Sequence, residues 1–217
     1  MKFKGCIFDL DGVLVDTARY HYLAWKRLAN SLGFDFSPAR NEQLKGISRT
    51  ESLAKLLAWG GLSLPEDRRD ELAARKNEWY VGMISSMTPD DPLPGVRTLL
   101  DGLRKEGIGL AIGSASKNAR MILEKTALTD YFEAIVDGHA VSRSKPEPDV
   151  FLAGAEKLGY APANCLVFED AAAGIEAARR AGMKTVGVGY PADLPDADVV
   201  VPDLTGVTVT QLDNLFH

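Results

Sequence analysis

Six short apolar runs, at 3–8, 108–112, 134–136, 165–168, 185–188 and 199–201, punctuate the chain, and stretches with helical periodicity separate several of them. No other feature limits the fold as tightly. A short run without polar alternation suits a strand buried on both faces, the condition of a parallel sheet whose crossover helices cover it. The expected crossover helices are 96–105, 119–126, 150–158 and 171–181. The fold class is therefore α/β, with a doubly wound parallel-sheet core.

One stretch interrupts the alternation. From about 18 to 87 the chain has helical periodicity and no strand signal, which reads as a small helical cap inserted after the first strand. Ser48-Arg49-Thr50-Glu51 has the form of a capping box, and Ser63-Leu64-Pro65-Glu66 that of a second with proline inside the helix start. Gly60-Gly61 marks a helix stop between them. Pro89-Asp90-Asp91-Pro92-Leu93-Pro94-Gly95 is a semi-rigid linker back to the core. The expected division is a core of 1–16 with 92–217 and a cap of 17–91, hinged near 14–17 and 90–94.

Bulk properties narrow the partners. With 46% hydrophobic and 25% charged residues the 217-residue chain can form a packed core. Its net charge of -5 and lack of a basic block argue against nucleic acid. No run approaches the ~20 apolar residues of a membrane span, and no signal-peptide pattern is visible, so a cytoplasmic protein without a membrane partner, and a monomer, is expected. Cys6 and Cys165 lie in strand-like runs and read as buried thiols.

In an open parallel sheet ligands bind beyond the carboxyl ends of the strands. Asp9 and Asp11 follow the first run, Ser114 to Asn118 the second, Lys145 precedes a helix, and Glu169 with Asp170 follows another run. Asp9, Asp11, Glu169 and Asp170 would repel one another at one sheet edge unless a cation or protons compensated. A hard divalent ion, magnesium by preference, suits carboxylates, waters and phosphate oxygens. Lys145, the Ser114 hydroxyl and the amides of Ser114 and Ala115 could then hold a phosphoryl group. A carboxylate nucleophile with a second carboxylate two residues on offers covalent transfer with general acid/base help. Each piece alone has a plainer reading: a turn for Asp-x-Asp, helix N-terminal acids for Glu169-Asp170, a surface lysine for Lys145. Their joint order along the chain favours the chemical one.

Phe8-Asp9-Leu10-Asp11-Gly12-Val13, Ser114-Ala115-Ser116, Ser144-Lys145-Pro146 and Phe168-Glu169-Asp170 resemble the four motifs of the haloacid dehalogenase superfamily, most of whose members are phosphatases and phosphomutases. The resemblance spans the chain and implies a HAD-like Rossmannoid core with a small helical cap. It implies Asp9 as the nucleophile that forms an aspartyl phosphate and Asp11 as the general acid/base. Asp9, the Asp11 carbonyl, Glu169 and Asp170 would surround magnesium, and Ser114, Ala115 and Lys145 would hold the transferring phosphate. Ala171 follows the acidic pair where relatives often carry a hydroxyl residue.

The superfamily leaves the acceptor open, and the cap speaks to it. Asp16-Thr17 with Tyr20-His21, the segment 43–49, Arg75-Lys76-Asn77 and the segment 114–118 resemble the hexose-phosphate mutases of the superfamily. The implied substrates are sugar phosphates, beta-glucose 1-phosphate and glucose 6-phosphate, with beta-glucose 1,6-bisphosphate as activating intermediate. Lys45, Gly46, Arg49, Ser116, Lys117 and Asn118 are the implied substrate-binding residues. A bisphosphate needs a second anion site, and the Arg49 guanidinium fork suits it. Lys76 and His21 each sit on an apolar helical stripe, Lys76 with Leu72, Trp79, Tyr80 and Met83, His21 with Trp25, Leu28 and Leu32. Snorkelling and simple hydrogen bonding are the alternatives. The resemblance gives Thr17, His21 and Lys76 a role in coupling cap closure to the placement of Asp11. A sugar-phosphate phosphatase is the second reading and a non-catalytic phosphosugar binder the third; Asp9→Asn separates the third, since a pure binder keeps its function.

Overall fold

The computed structural model describes residues 1–216. Six strands, β1 (Gly5–Phe8), β2 (Gly109–Gly113), β3 (Ala134–Val136), β4 (Cys165–Glu169), β5 (Lys184–Val188) and β6 (Val199–Val201), form one sheet in the order β3-β2-β1-β4-β5-β6. Every pairing is parallel. The expected runs match these strands to within a residue or two, because each strand of the sheet centre is buried along its whole length.

Strand side chains alternate between faces. Phe8, Ile112 and Phe168 join one hydrophobic cluster, with Phe8 and Phe168 stacked at 4.5 Å, while Ile7, Ala111 and Val167 join the other. Helices α1 (Ala18–Ser31), α2 (Pro38–Glu42), α3 (Arg49–Trp59) and α4 (Glu66–Ile84) lie between β1 and the sheet's next helix, α5 (Val96–Lys105). Helices α1, α3 and α4, with Phe36 and Leu44 from either side of α2, share a cluster of their own, built on Trp25, Leu28, Phe36, Leu53, Leu56, Leu57 and Leu72. The sheet is completed by α6 (Ala119–Lys125), α7 (Asp149–Leu158), α8 (Ala172–Arg180) and α9 (Val209–Asp213). In α5 the buried positions Val96, Leu99, Leu100 and Leu103 follow the three-and-four spacing of an amphipathic helix.

The Ser48–Glu51 capping box is present, with both reciprocal bonds. The second expected box is not. Pro65 is the N-cap of α4 and no side chain caps that end, so Ser63 stays outside the helix; proline fixes the entry instead, having no N–H that needs a partner. Gly60 caps α3 and Gly61 takes the left-handed φ of +66° that stops it. The two chain crossings between the α1–α4 bundle and the sheet run side by side: Val15 bridges Pro92, and the Leu93 amide donates to the Leu14 carbonyl at 2.9 Å. Among the described residues no helix is long and apolar enough to cross a membrane. Cys6 and Cys165 are free and buried.

Candidate active site

β1 is the sheet's third strand from the β3 edge, flanked by β2 and β4. The parallel register aligns Phe8 with Ile112 and Phe168, so Asp9, Ser114 and the Glu169-Asp170 pair emerge together at one edge. Lys145 arrives from the loop before α7 and is fully buried, its ammonium donating to Asp9 Oδ1 at 2.5 Å and Glu169 Oε2 at 2.8 Å. Burial disfavours the lysine charge, but Asp9 and Glu169 outweigh it and hold its pKa above the ordinary value.

Asp9, Glu169 and Asp170 each place one carboxylate oxygen within 4.8 Å of the others. Burial, then the neighbouring carboxylates, pushes Glu169 up to about 8 and Asp170 up to about 7, against the opposing pull of Lys145 and Lys45. Such crowded acids call for a compensating charge, and this all-oxygen donor set fits a hard divalent cation. Two glycines make room for it. A Cβ on Gly12, whose φ is +84°, would fall 2.1 Å from Asp170 Oδ2, and one on Gly174 would fall 1.9 Å from Glu169 Oε2. Both positions exclude any larger residue while the carboxylates keep their places.

Asp11 lies half-buried near Asp9 and accepts a hydrogen bond from the Thr17 hydroxyl. Burial, then the Asp9 charge, raises its pKa to about 6, with Thr17, Lys145 and Lys76 resisting. Just after β2, the Ser114 amide donates to the Val136 carbonyl at 3.0 Å. Against the sequence expectation it is thus spent on the sheet, which leaves the hydroxyl as the group Ser114 can offer a phosphoryl. The loop then folds back on itself, with Ser116 N donating to Ser114 Oγ at 3.1 Å and Asn118 N to Ser116 Oγ at 3.2 Å. This turn presents Ser114, Ala115, Ser116, Lys117 and Asn118 to the same cavity, of about 850 Å³, that Asp9, Asp11 and Lys145 line.

The helical bundle closes the other side. Lys45, Gly46, Arg49, His21 and Lys76 all line that cavity. Lys45 reaches Asp170 at 3.4 Å, and Gly46 sits over Ala171. Arg49 is half-buried and, among the described residues, its guanidinium makes no ion pair or hydrogen bond in the structure; burial lowers its pKa. Lys76 is 2% exposed, with its Nζ 2.8 Å from His21 Nδ1 and over the rings of Trp25 and Tyr80. Burial and then Arg49 lower Lys76 to about 7, and burial and then Lys76 hold His21 well below its usual range. The pair shares a proton between Nζ and Nδ1, with burial keeping the imidazole neutral. Snorkelling of Lys76 is excluded by its burial.

Every sequence-expected site residue but Thr17, Glu169 and Asp170 lines the cavity, and those three touch residues that do: Thr17 bonds Asp11, Glu169 accepts from Lys145, and Asp170 pairs with Lys45. Two polar contacts from bundle to sheet carry no sequence signal: Asn118 Nδ2 donates to Asn77 Oδ1 at 2.9 Å, and the Ser144 hydroxyl donates to Glu51. Glu51 reads as a local cap from its spacing, and its second donor lies 93 residues away.

A family model described as haloacid dehalogenase-like hydrolase matches residues 3–182. The beta-phosphoglucomutase of Bacillus subtilis (strain 168) is 46% identical over 211 residues, covering 96% of this chain and 93% of that protein. The fructose-1-phosphate phosphatase of Escherichia coli (strain K12) is 35% identical, covering 86% and 97%. Among solved structures, a beta-phosphoglucomutase from Clostridium difficile superposes with a TM-score of 0.95 at 40% identity, covering 99% of this chain and 97% of that one. With the family model, the full-length relatives and the carboxylate edge of a six-stranded parallel sheet in agreement, this chain belongs to the haloacid dehalogenase-like hydrolase family.

Proposed function

We propose that the protein is a phosphomutase interconverting beta-glucose 1-phosphate and glucose 6-phosphate through beta-glucose 1,6-bisphosphate, with Asp9 as the phosphoryl-carrying nucleophile. The observation that carries this reading is one cavity lined both by Asp9, Lys145 and Ser114 and, from the helical bundle, by Arg49, whose guanidinium has no ion pair among the described residues, with Ser116, Lys117 and Asn118 lining it too. A monophosphate hydrolase needs one anion site; a bisphosphate needs two. The mutases of Bacillus subtilis and Clostridium difficile support the same reading by likeness.

In this mechanism the 6-hydroxyl of beta-glucose 1-phosphate loses its proton to Asp11 as its oxygen attacks the phosphorus carried on Asp9, and the acyl phosphate bond breaks to give the bisphosphate. In the second half the freed Asp9 carboxylate attacks the 1-phosphoryl phosphorus of the bisphosphate, the P–O bond to the sugar breaks, and Asp11 returns its proton to the departing oxygen of glucose 6-phosphate. A pKa of about 6 lets Asp11 serve as acid and base near neutral pH. Lys145, the Ser114 hydroxyl and the Ala115 amide hold the transferring oxygens, while Arg49, Lys45, Gly46, Ser116, Lys117 and Asn118 hold the far end of the substrate. Asp9, the Asp11 carbonyl, Glu169 and Asp170 would hold magnesium, which when bound neutralises charge on the phosphoryl oxygens. Segment 17–91 acts as a cap on the core formed by 1–16 and 92–217, and Thr17, His21 and Lys76 tie its closure to the placement of Asp11. Keeping the phosphoryl from water by a factor of a thousand needs a barrier difference of about 4 kcal/mol, which substrate-driven closure can supply. A complete site within one chain fits a monomer acting on free cytoplasmic sugar phosphates.

The test is to supply beta-glucose 1-phosphate, magnesium and catalytic bisphosphate, and to follow glucose 6-phosphate against free phosphate. Stoichiometric phosphate without isomer overturns the mutase in favour of a sugar-phosphate phosphatase, the activity named for the Escherichia coli relative. Equal reaction of the alpha anomer overturns the stereochemistry.

A further inference from the structure

Asn118 is the N-cap residue of α6, a position where asparagine ordinarily turns its side-chain oxygen back onto a free amide of the first turn. Here it makes no such bond. Its backbone, at φ -103° and ψ 8°, lies outside the extended region from which a capping side chain reaches that turn. The side chain goes elsewhere: Asn118 Nδ2 donates to Asn77 Oδ1 of α4 at 2.9 Å. Both side chains are half-buried, and both residues line the cavity of the candidate active site. A local cap is given up for a bond that crosses from the sheet to the helical bundle.

The two ends of this bond differ. On the sheet side the backbone of the loop is fixed from within, by Asn118 N on Ser116 Oγ and Ser116 N on Ser114 Oγ. The side-chain amide of Asn118 is not held in that way: among the described residues its one hydrogen bond is the bond to Asn77. On the bundle side Asn77 follows Lys76, the lysine buried against His21, and so moves with the helix that carries that contact. A primary amide has two protons to give. With one held by Asn77, the other stays available to an acceptor in the cavity, and its direction is set by where α4 sits.

We propose that Asn77 is a positioning residue for the distal phosphate of the substrate, acting through the side-chain amide of Asn118. It aims that amide only while α4 is seated against the loop 114–118, so the grip on the second phosphate and the seating of the bundle come together. The inference rests on the reading of the cavity as a site for two anions. Among the described residues Asn77 makes no hydrogen bond to Asp9, Asp11 or Lys145, so its removal should leave the chemistry at Asp9 intact.

The experiment compares wild type, Asn77→Ala, Asn118→Ala and the double variant in magnesium. Alanine is the best helix former, so Asn77→Ala within α4 should keep its fold, and a thermal melt checks it. Its KM for beta-glucose 1-phosphate should rise about fivefold, the effect of one neutral hydrogen bond, with kcat changed by about twofold at most. Phosphorylation of Asp9 by acetyl phosphate, which brings no second phosphate, should proceed at the wild-type rate. The double variant should have the KM of Asn118→Ala, because Asn77 acts through that side chain. A wild-type KM in Asn77→Ala, an equal slowing with acetyl phosphate, or KM losses that multiply in the double variant each overturn the proposal. Wild type alone judges the mutase reading. If it releases phosphate without isomer, the same cycle is read as KM for phosphate release from beta-glucose 1,6-bisphosphate, which carries a second phosphate in either case, with the same outcomes.

Discussion

Removing divalent cations should make the protein less stable as pH rises, against the trend set by most paired carboxylates. Glu169 and Asp170, pushed up to about 8 and about 7, bind protons more tightly in the folded chain than in the unfolded one, where values near 4.5 and 3.8 apply. The folded state therefore holds the extra protons between about pH 4 and pH 8, and stability contributed by that binding is lost as pH climbs through the window. One pKa unit corresponds to about 1.4 kcal/mol. Because the two groups share one repulsion, the loss for the pair is on the order of 4 kcal/mol, not twice that, or ~10 °C in melting temperature for a chain of this size. Magnesium would displace the protons and restore the loss, so its stabilising effect should be large at pH 8 and vanish near pH 5. His21 and Lys76, with lowered pKa values, push the other way but are present with and without metal. The difference between melts in magnesium and in chelator isolates the carboxylates, and Glu169→Gln should abolish most of it. A magnesium effect that is flat from pH 5 to pH 8 refutes the reasoning.

Other outcomes follow from the same geometry. Asp9→Asn should abolish the phosphorylated enzyme and all turnover, read by acid-quench labelling. Arg49→Ala should raise KM for the sugar phosphate and the bisphosphate by ten- to a hundredfold, and Arg49→Lys should recover only part, since a point charge lacks the bidentate fork; steady-state kinetics decides. Gly12→Ala should weaken magnesium binding at least tenfold, because the new methyl falls on Asp170, and should also lower the melting temperature, because alanine is strained at a φ of +84°; metal titration of activity and calorimetry should agree on the first effect.

The strands and the catalytic edge were readable in the sequence for one physical reason. Residues such as Cys6, Ile7 and Phe8 are apolar because both faces of the sheet are covered, and the polar residue that ends each run must stand at the edge. Local signals within a turn or two, such as the Ser48–Glu51 box, were equally plain. Ser63 misled because a serine three residues before a glutamate has the spacing of a cap whether or not proline has already fixed the helix start. Contacts that depend on two helices meeting in space left no trace in either segment. Neither the Asn77–Asn118 bond nor the second donor to Glu51 could be placed before α3 and α4 were set against the sheet. Tyr80 was legible only as one member of an apolar stripe, and its orphaned hydroxyl is a property of the packed molecule.

The ribbon formed where Val15 bridges Pro92 has a bearing on how such proteins can be recombined. The chain leaves the sheet and returns to it at a single point, with both crossings held a strand-pair spacing apart. A graft at that point needs to satisfy one local geometry only: any segment whose two ends lie about 5 Å apart can be spliced there without stretching the sheet. Exchanging residues 16–91 for the equivalent piece of a relative should therefore leave the nucleophile, its lysine and its acids standing where they are, and change only which molecule is delivered to them.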